Sequence, residues 1–134
     1  MDWLKKVPLY MIFFMLGGCA SEVYRYPVQW EFSTNTPVVL TTAKTVSFTL
    51  DSGYRRTIEA GTQFKKFVKN KQEAILQPLN TVFTVEGAHT HEAYPVLKEN
   101  RVIGFYLPVE RSFSPLIKPI PLLFQEVFQQ EREP

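Results

Sequence analysis

Cysteine and histidine are nearly missing from this chain. It has one cysteine, Cys19, and two histidines, His89 and His91. A lone thiol excludes an internal disulfide, so stability has to come from packing. Glycine is scarce, with six residues, and none of them builds a phosphate-cradling loop. There is no Gly-x-Ser-x-Gly nucleophile turn and no carboxylate pair placed for sugar chemistry. Charge of one sign is not in excess, since the net charge is only +2. That balance does not point to a nucleic-acid partner. Past the first nineteen residues no apolar run approaches the roughly 18 residues a membrane-spanning helix needs. No internal repeat or low-complexity tract appears. These absences leave no positive sign of an enzyme, and no cofactor is expected.

What the chain does have is a distinctive start. Lys5 and Lys6 precede an uninterrupted apolar stretch from Leu9 to Leu16, and Gly17, Gly18 and Cys19 follow. The order is a short basic segment, an apolar core too short to span as a mature helix, and small residues at a cut site. Leu16, Gly17, Gly18 and Cys19 resemble the lipobox of bacterial lipoproteins. The resemblance implies that the Cys19 thiol takes a diacylglycerol, that residues 1–18 are a signal peptide cut just before it, and that the new amino terminus is acylated. Two or three acyl chains would hold far beyond the reversible binding of one. Ala20 rather than Asp follows the cysteine, which by the sorting pattern of that family implies the outer membrane. The mature chain of about 116 residues is close to neutral and suits one domain with one core.

The rest reads as β structure. Residues 19–27 are expected to be a lipidated tether and 28–114 a β domain. Val28, Trp30 and Phe32 alternate with Gln29 and Glu31, and Pro27 places that strand at an edge or delays its start. Val46, Phe48 and Leu50 share one face, with Ser47, Thr49 and Asp51 on the other. The segment 54–58 is expected to pair back, 63–68 to form a twisted or bulged edge because Phe64 and Phe67 oppose each other, and 74–76 to end at Pro78. Thr81–Val85 reads as a strand. Lys98–Arg101 is the tip of a hairpin between Val96-Leu97 and Val102-Ile103. Pro115, Pro119 and Pro121 predict a polyproline-like linker. Leu123 with Val127, and Phe124 with Phe128, predict a helix over 122–130. The expected fold is a small antiparallel barrel or sandwich of seven to eight short strands, with a linker and C-terminal helix over 115–134.

Two clusters are candidate sites. On a strand His89 and His91 point to the same side, and two imidazoles at that spacing can share a metal, with Glu86 or Glu110 as a third ligand. The spacing matches no zinc signature, and the plainer reading is a polar sheet face with one histidine hydrogen-bonded. Arg55, Arg56, Lys65, Lys66, Lys69 and Lys71 are the main charge asymmetry. If 54–58 paired with 63–68 they would gather on one face for an acidic partner such as lipid headgroups; the plainer reading is a solvated face that guards an edge. Trp30, Phe48, Phe64, Phe83 and Phe105 are core candidates, while Tyr24, Tyr26, Tyr94, Tyr106 and Phe113 are candidates for a contact surface.

The chain is therefore expected to be a lipid-anchored, non-catalytic envelope protein. It would serve as an interaction or assembly module with other envelope proteins, as in a secretion, conjugation or envelope-maintenance complex. The alternative is an inhibitor, immunity or exclusion lipoprotein that plugs an incoming toxin, enzyme or phage component with its 98–101 tip or 86–92 turn.

Overall fold

A computed structural model describes residues 22–31 and 38–125. Eleven strands run through them: β1 (Tyr26–Pro27), β2 (Val38–Thr41), β3 (Val46–Thr49), β4 (Arg55–Ile58), β5 (Gln63–Val68), β6 (Glu73–Pro78), β7 (Thr84–Glu86), β8 (Thr90–Glu92), β9 (Tyr94–Lys98), β10 (Arg101–Leu107) and β11 (Ser112–Pro121). Seven form one antiparallel sheet in the order β1-β11-β10-β9-β6-β5-β2. The hairpins β3–β4 and β7–β8 are excursions from it, and each is its own two-stranded sheet. The sheet is not a closed barrel. Among the described residues, the run after β11 reaches the β2 end through a bridge between Thr42 and Phe124 and hydrogen bonds from the Ala43 and Gln125 amides to the Leu123 and Thr41 carbonyls.

Period-2 patterning explains why each strand buries what it does. Phe48 and Leu50 of the β3 segment, Ile58 of β4 and Val85 of β7 join Phe64, Leu76, Leu97, Val102, Phe105 and Leu107 in one core. The two excursions therefore cover one face of the main sheet. Phe48, Phe83 and Phe105 stack there, with ring centroids 5.6–6.3 Å apart. The opposite face carries a second core of Phe67, Ile75, Val96, Tyr106 and Phe113, capped by Val28 and Trp30. Trp30 stacks on Tyr106 at 5.6 Å.

Phe64 and Phe67 oppose each other because β5 is buried on both faces, one ring in each core. The expected bulge or edge at 63–68 is thus replaced by a regular interior strand between β2 and β6. Phe48, Phe64, Phe83 and Phe105 are buried, and Trp30 is half-buried against the second core. Tyr24 and Tyr26 stay exposed, whereas Tyr106 and Phe113 are buried and Tyr94 half-buried, so these three are not a contact surface. Burial, and then the neighbouring Glu92 charge, push the Tyr94 hydroxyl above its usual range.

The bulge lies elsewhere. Ile103 is one residue extra between the β9 partners of Val102 and Gly104. The shift turns Val102, Phe105 and Leu107 to one core while Ile103 and Tyr106 face the other. On the other side of β10, the same step takes up residues 116–119 of β11.

The C-terminal expectations need correction. Ser112–Pro121 is a strand, not a polyproline linker. β1 flanks it only at Ser112 and Phe113, so its prolines stand where no second ladder needs an N–H. Residues 122–125 are extended rather than helical, with Leu122 buried, Leu123 exposed and Phe124 packed on the first core. The remainder of the expected helix, 126–130, lies outside the described residues, as do Phe32 and the signal region. The tether expected over 19–27 is already docked from Val23, which is buried in the first core.

The hairpin at 98–101 is as expected. Lys98 pairs with Arg101, and both tip residues are left-handed, Glu99 at φ 54° and Asn100 at φ 65°. That is the two-residue type I′ geometry. Asn tolerates it and Glu does not, so Glu99→Gly is expected to stabilise the domain by about 1 kcal/mol. Chemical denaturation checks this; an unchanged or lower midpoint would contradict it.

Candidate functional site

The two histidines meet on one carboxylate. β8 carries His91, which the β7–β8 pairing sets opposite Val85; His89 stands in the turn just before it. His91 is buried, 6 % exposed, and His89 is 77 % exposed. Both turn toward Glu22, 67 and 69 residues away in sequence. His89 Nδ1 lies 2.8 Å from Glu22 Oε2, and His91 Nε2 lies 3.4 Å from Oε1. His91 Nδ1 lies 2.7 Å from Glu110 Oε2, in the turn between β10 and β11. Arg25 adds a longer contact to Glu22 at 3.9 Å. The result is a clasp that ties the start of the described chain to two separate turns.

Its electrostatics follow from those contacts. Glu22 is held at about pKa 2, first by the hydrogen bond with His89, then by the Val23 amide, with His91 adding to both against a partial desolvation. A carboxylate held low stabilises the folded state above its ordinary value of 4.5 and loses that contribution as pH falls toward about 2. His89→Ala is expected to move the Glu22 titration back toward 4.5, read by carboxyl-carbon NMR. A midpoint left near 2 would show that His89 is not the main cause.

As a metal site the arrangement is poor. A ligating imidazole needs a free ring-nitrogen lone pair, and both nitrogens of His91 already face carboxylates. Among the described residues, no group of three or more His, Cys, Asp or Glu is set to hold a metal ion. Of the two carboxylates expected nearby, Glu110 is brought to His91, but Glu86 instead faces Arg56 at 3.7 Å. Sequence reading missed Glu22 and Arg25, because nothing local links them to residues on the β7–β8 hairpin.

The basic residues do not assemble. β4 pairs with β3, and β5 with β2 and β6, so 54–58 and 63–68 are not neighbours in a sheet. Arg56 is used inside the fold. Its Nη2 donates to Thr84 Oγ1 at 3.0 Å and its guanidinium lies 5.5 Å from the Phe83 ring centre. Lys69 pairs with Glu73 at 2.8 Å and sits 4.6 Å over Trp30; that pairing also lowers the Glu73 pKa. Lys65 lies 5.2 Å over Phe67. Arg55 and Lys71 are exposed, and Lys66 half-buried. Lys66 and Lys71 share an open hollow of about 470 Å³ with Glu73, Glu99 and Asn100. A second hollow of about 410 Å³ is lined by residues of β4 and of 78–83, among them Arg56, Ile58 and Phe83, and by Phe64. Leu16, Gly17, Gly18 and Cys19 lie outside the described residues.

No protein-family model matches the chain, and no curated protein or solved structure matches it either.

Proposed function

We propose that this chain is a lipid-anchored, non-catalytic protein of the bacterial envelope, fixed through Cys19 to the outer membrane, whose β domain is an interaction or assembly module. The observation that carries this is the order Lys5-Lys6, apolar 9–16, Leu16-Gly17-Gly18-Cys19, with Ala20 after the cysteine. A thiol acylated at that point places hydrocarbon, not reaction chemistry, at the centre of the protein's role. The histidine cluster supports a structural rather than catalytic reading, because both ring nitrogens of the buried His91 and Nδ1 of His89 face Glu22 and Glu110. A partner surface is offered by β2 and β5. Val38 stands opposite Lys66 in the ladder, and Val68, two residues on, is its diagonal neighbour. Both valines are about half exposed, and apolar surface rimmed by lysine suits another envelope protein.

Mass spectrometry of the protein from bacterial membranes tests the anchor. The expected product begins at Cys19 and carries diacylglycerol and an amide-linked acyl chain. An unmodified thiol at Cys19 would refute the reading. Capture in mild detergent tests the module: a stable partner lost on Val38→Asp is expected, and recovery of the protein alone would count against it.

A further inference from the structure

The clasp draws the start of the described chain into the folded body. Val23 is buried in the first core, Glu22 is held by two histidines, and Ser114 Oγ donates to the Tyr24 carbonyl at 2.6 Å. Residues 22–30 are therefore part of the folded body, with Val28 and Trp30 packed on the second core. Only Ala20 and Ser21 separate it from Cys19. Three Cα steps span at most about 11 Å. By contrast, β10 alone runs about 20 Å from Arg101 to Leu107 at the strand rise. An anchor at Cys19 therefore leaves the domain no freedom to stand off or to present an arbitrary face.

We infer that the corner where the β1 edge, the β7–β8 turn and the β10–β11 turn meet lies against the lipid headgroups, and that the Glu22 clasp holds it there. This rests on the lipid-anchor reading. The chemistry of that corner fits a headgroup layer. Tyr24 is 70 % exposed, with its ring 6.3 Å from that of Tyr26, also exposed. Val109 projects from the β10–β11 turn at 76 % exposure. Arg25 stands beside the tyrosines, and Arg111 follows Glu110 in that turn, its carbonyl accepting from the Val28 amide. Tyrosine with arginine is the composition that favours the interface between water and hydrocarbon. Both oxygens of Glu22 face the histidines, and Glu110 meets His91 through Oε2, so both carboxylates are engaged in the clasp.

The same geometry sends the other end of the sheet outward. The β5–β6 turn and the Glu99–Asn100 tip lie together at the Arg101 end of β10, through the pairings of Glu73 and Arg101 with Lys98. Lys66 and Lys71 line the hollow there. They face the aqueous side, away from the leaflet that holds the anchor.

The test uses the full chain, expressed with its own leader and purified in vesicles of phosphatidylethanolamine and phosphatidylglycerol that carry a headgroup quencher. A fluorophore is placed at Val109→Cys or at Lys71→Cys, both exposed and neither of them a residue of the clasp. Quenching is expected at 109 and not at 71. It should be lost at 109 when a long Gly-Ser spacer is inserted between Ser21 and Glu22. Equal quenching at both sites, or a stronger signal at 71, overturns the orientation while the mass of an acylated Cys19 leaves the anchor standing. An unmodified Cys19 overturns both.

Discussion

Cys19→Ser is expected to remove the protein from the outer-membrane fraction altogether. A serine hydroxyl lacks the nucleophilicity of a thiolate, so no diacylglycerol is attached and the cut before residue 19, which follows lipidation in the lipoprotein pathway this segment resembles, does not occur. The energetic consequence is large, because each buried methylene contributes about 0.8 kcal/mol. A single chain gives only marginal, reversible binding, and two or three together make release negligible. Loss of all of them is thus close to all-or-none. Fractionation of cells with gradient-separated membranes reads the change, and the mass should increase by the retained leader and lack the lipid. Unaltered outer-membrane recovery of Cys19→Ser would contradict the anchor directly.

In the β domain the strands are easier to read from sequence than the faces they bury. Where one residue in two is apolar and the others polar, as in Val46-Ser47-Phe48-Thr49-Leu50, the strand and its buried side are legible from sequence alone. The hairpin at 96–103 is equally plain, because two apolar runs flank a polar tip. Phe64 and Phe67 are harder. Their opposed positions look like a flaw in a half-buried strand, and only a second core on the far side of the sheet explains them. Trp30 shows why that core is hidden. It reaches Tyr106 and Lys69 across the sheet, contacts that no local pattern contains.

The C-terminal segment was misleading for a different reason. Pro115, Pro119 and Pro121 argue against a strand in the middle of a sheet, but β11 has a neighbour on both sides for only two residues. Pro121-Leu122-Leu123-Phe124 is a short apolar run, which periodicity cannot assign to helix or strand. The tertiary contact of Phe124 with Thr42 decides it. At the candidate site the sequence supplied His89, His91 and, as one of two options, Glu110. Glu22 was invisible because it belongs to a segment that reads as tether. Its partner choice follows from the folded position of Val23, not from spacing. The basic residues illustrate the reverse case, where proximity in sequence suggested a patch and strand pairing separated it.

Gly104→Ala is the substitution expected to harm the fold most. A Cβ built at this position would lie 2.5 Å from the Ser114 carbonyl oxygen and 2.6 and 2.8 Å from the Cζ and Cε1 of Phe113. The first is backbone on the neighbouring strand and cannot swing aside. The second is a buried ring packed on Trp30 and Tyr26. Neither gives way without opening the β10–β11 ladder. Overpacking of this kind costs about 3 kcal/mol, a large part of the stability of a domain this size. The position also governs register. Gly104 follows the bulge at Ile103, and that bulge is what returns Phe105 and Leu107 to the first core. If β10 relieved the clash by slipping one residue, Phe105, 1 % exposed and stacked on Phe48 and Phe83, would turn to the wrong face. Denaturant unfolding should show the loss as a lower midpoint, and ring contacts of Phe105 in NMR should weaken with it. A Gly104→Ala protein as stable as the parent would mean that β10 and β11 are not packed at Gly104 as described.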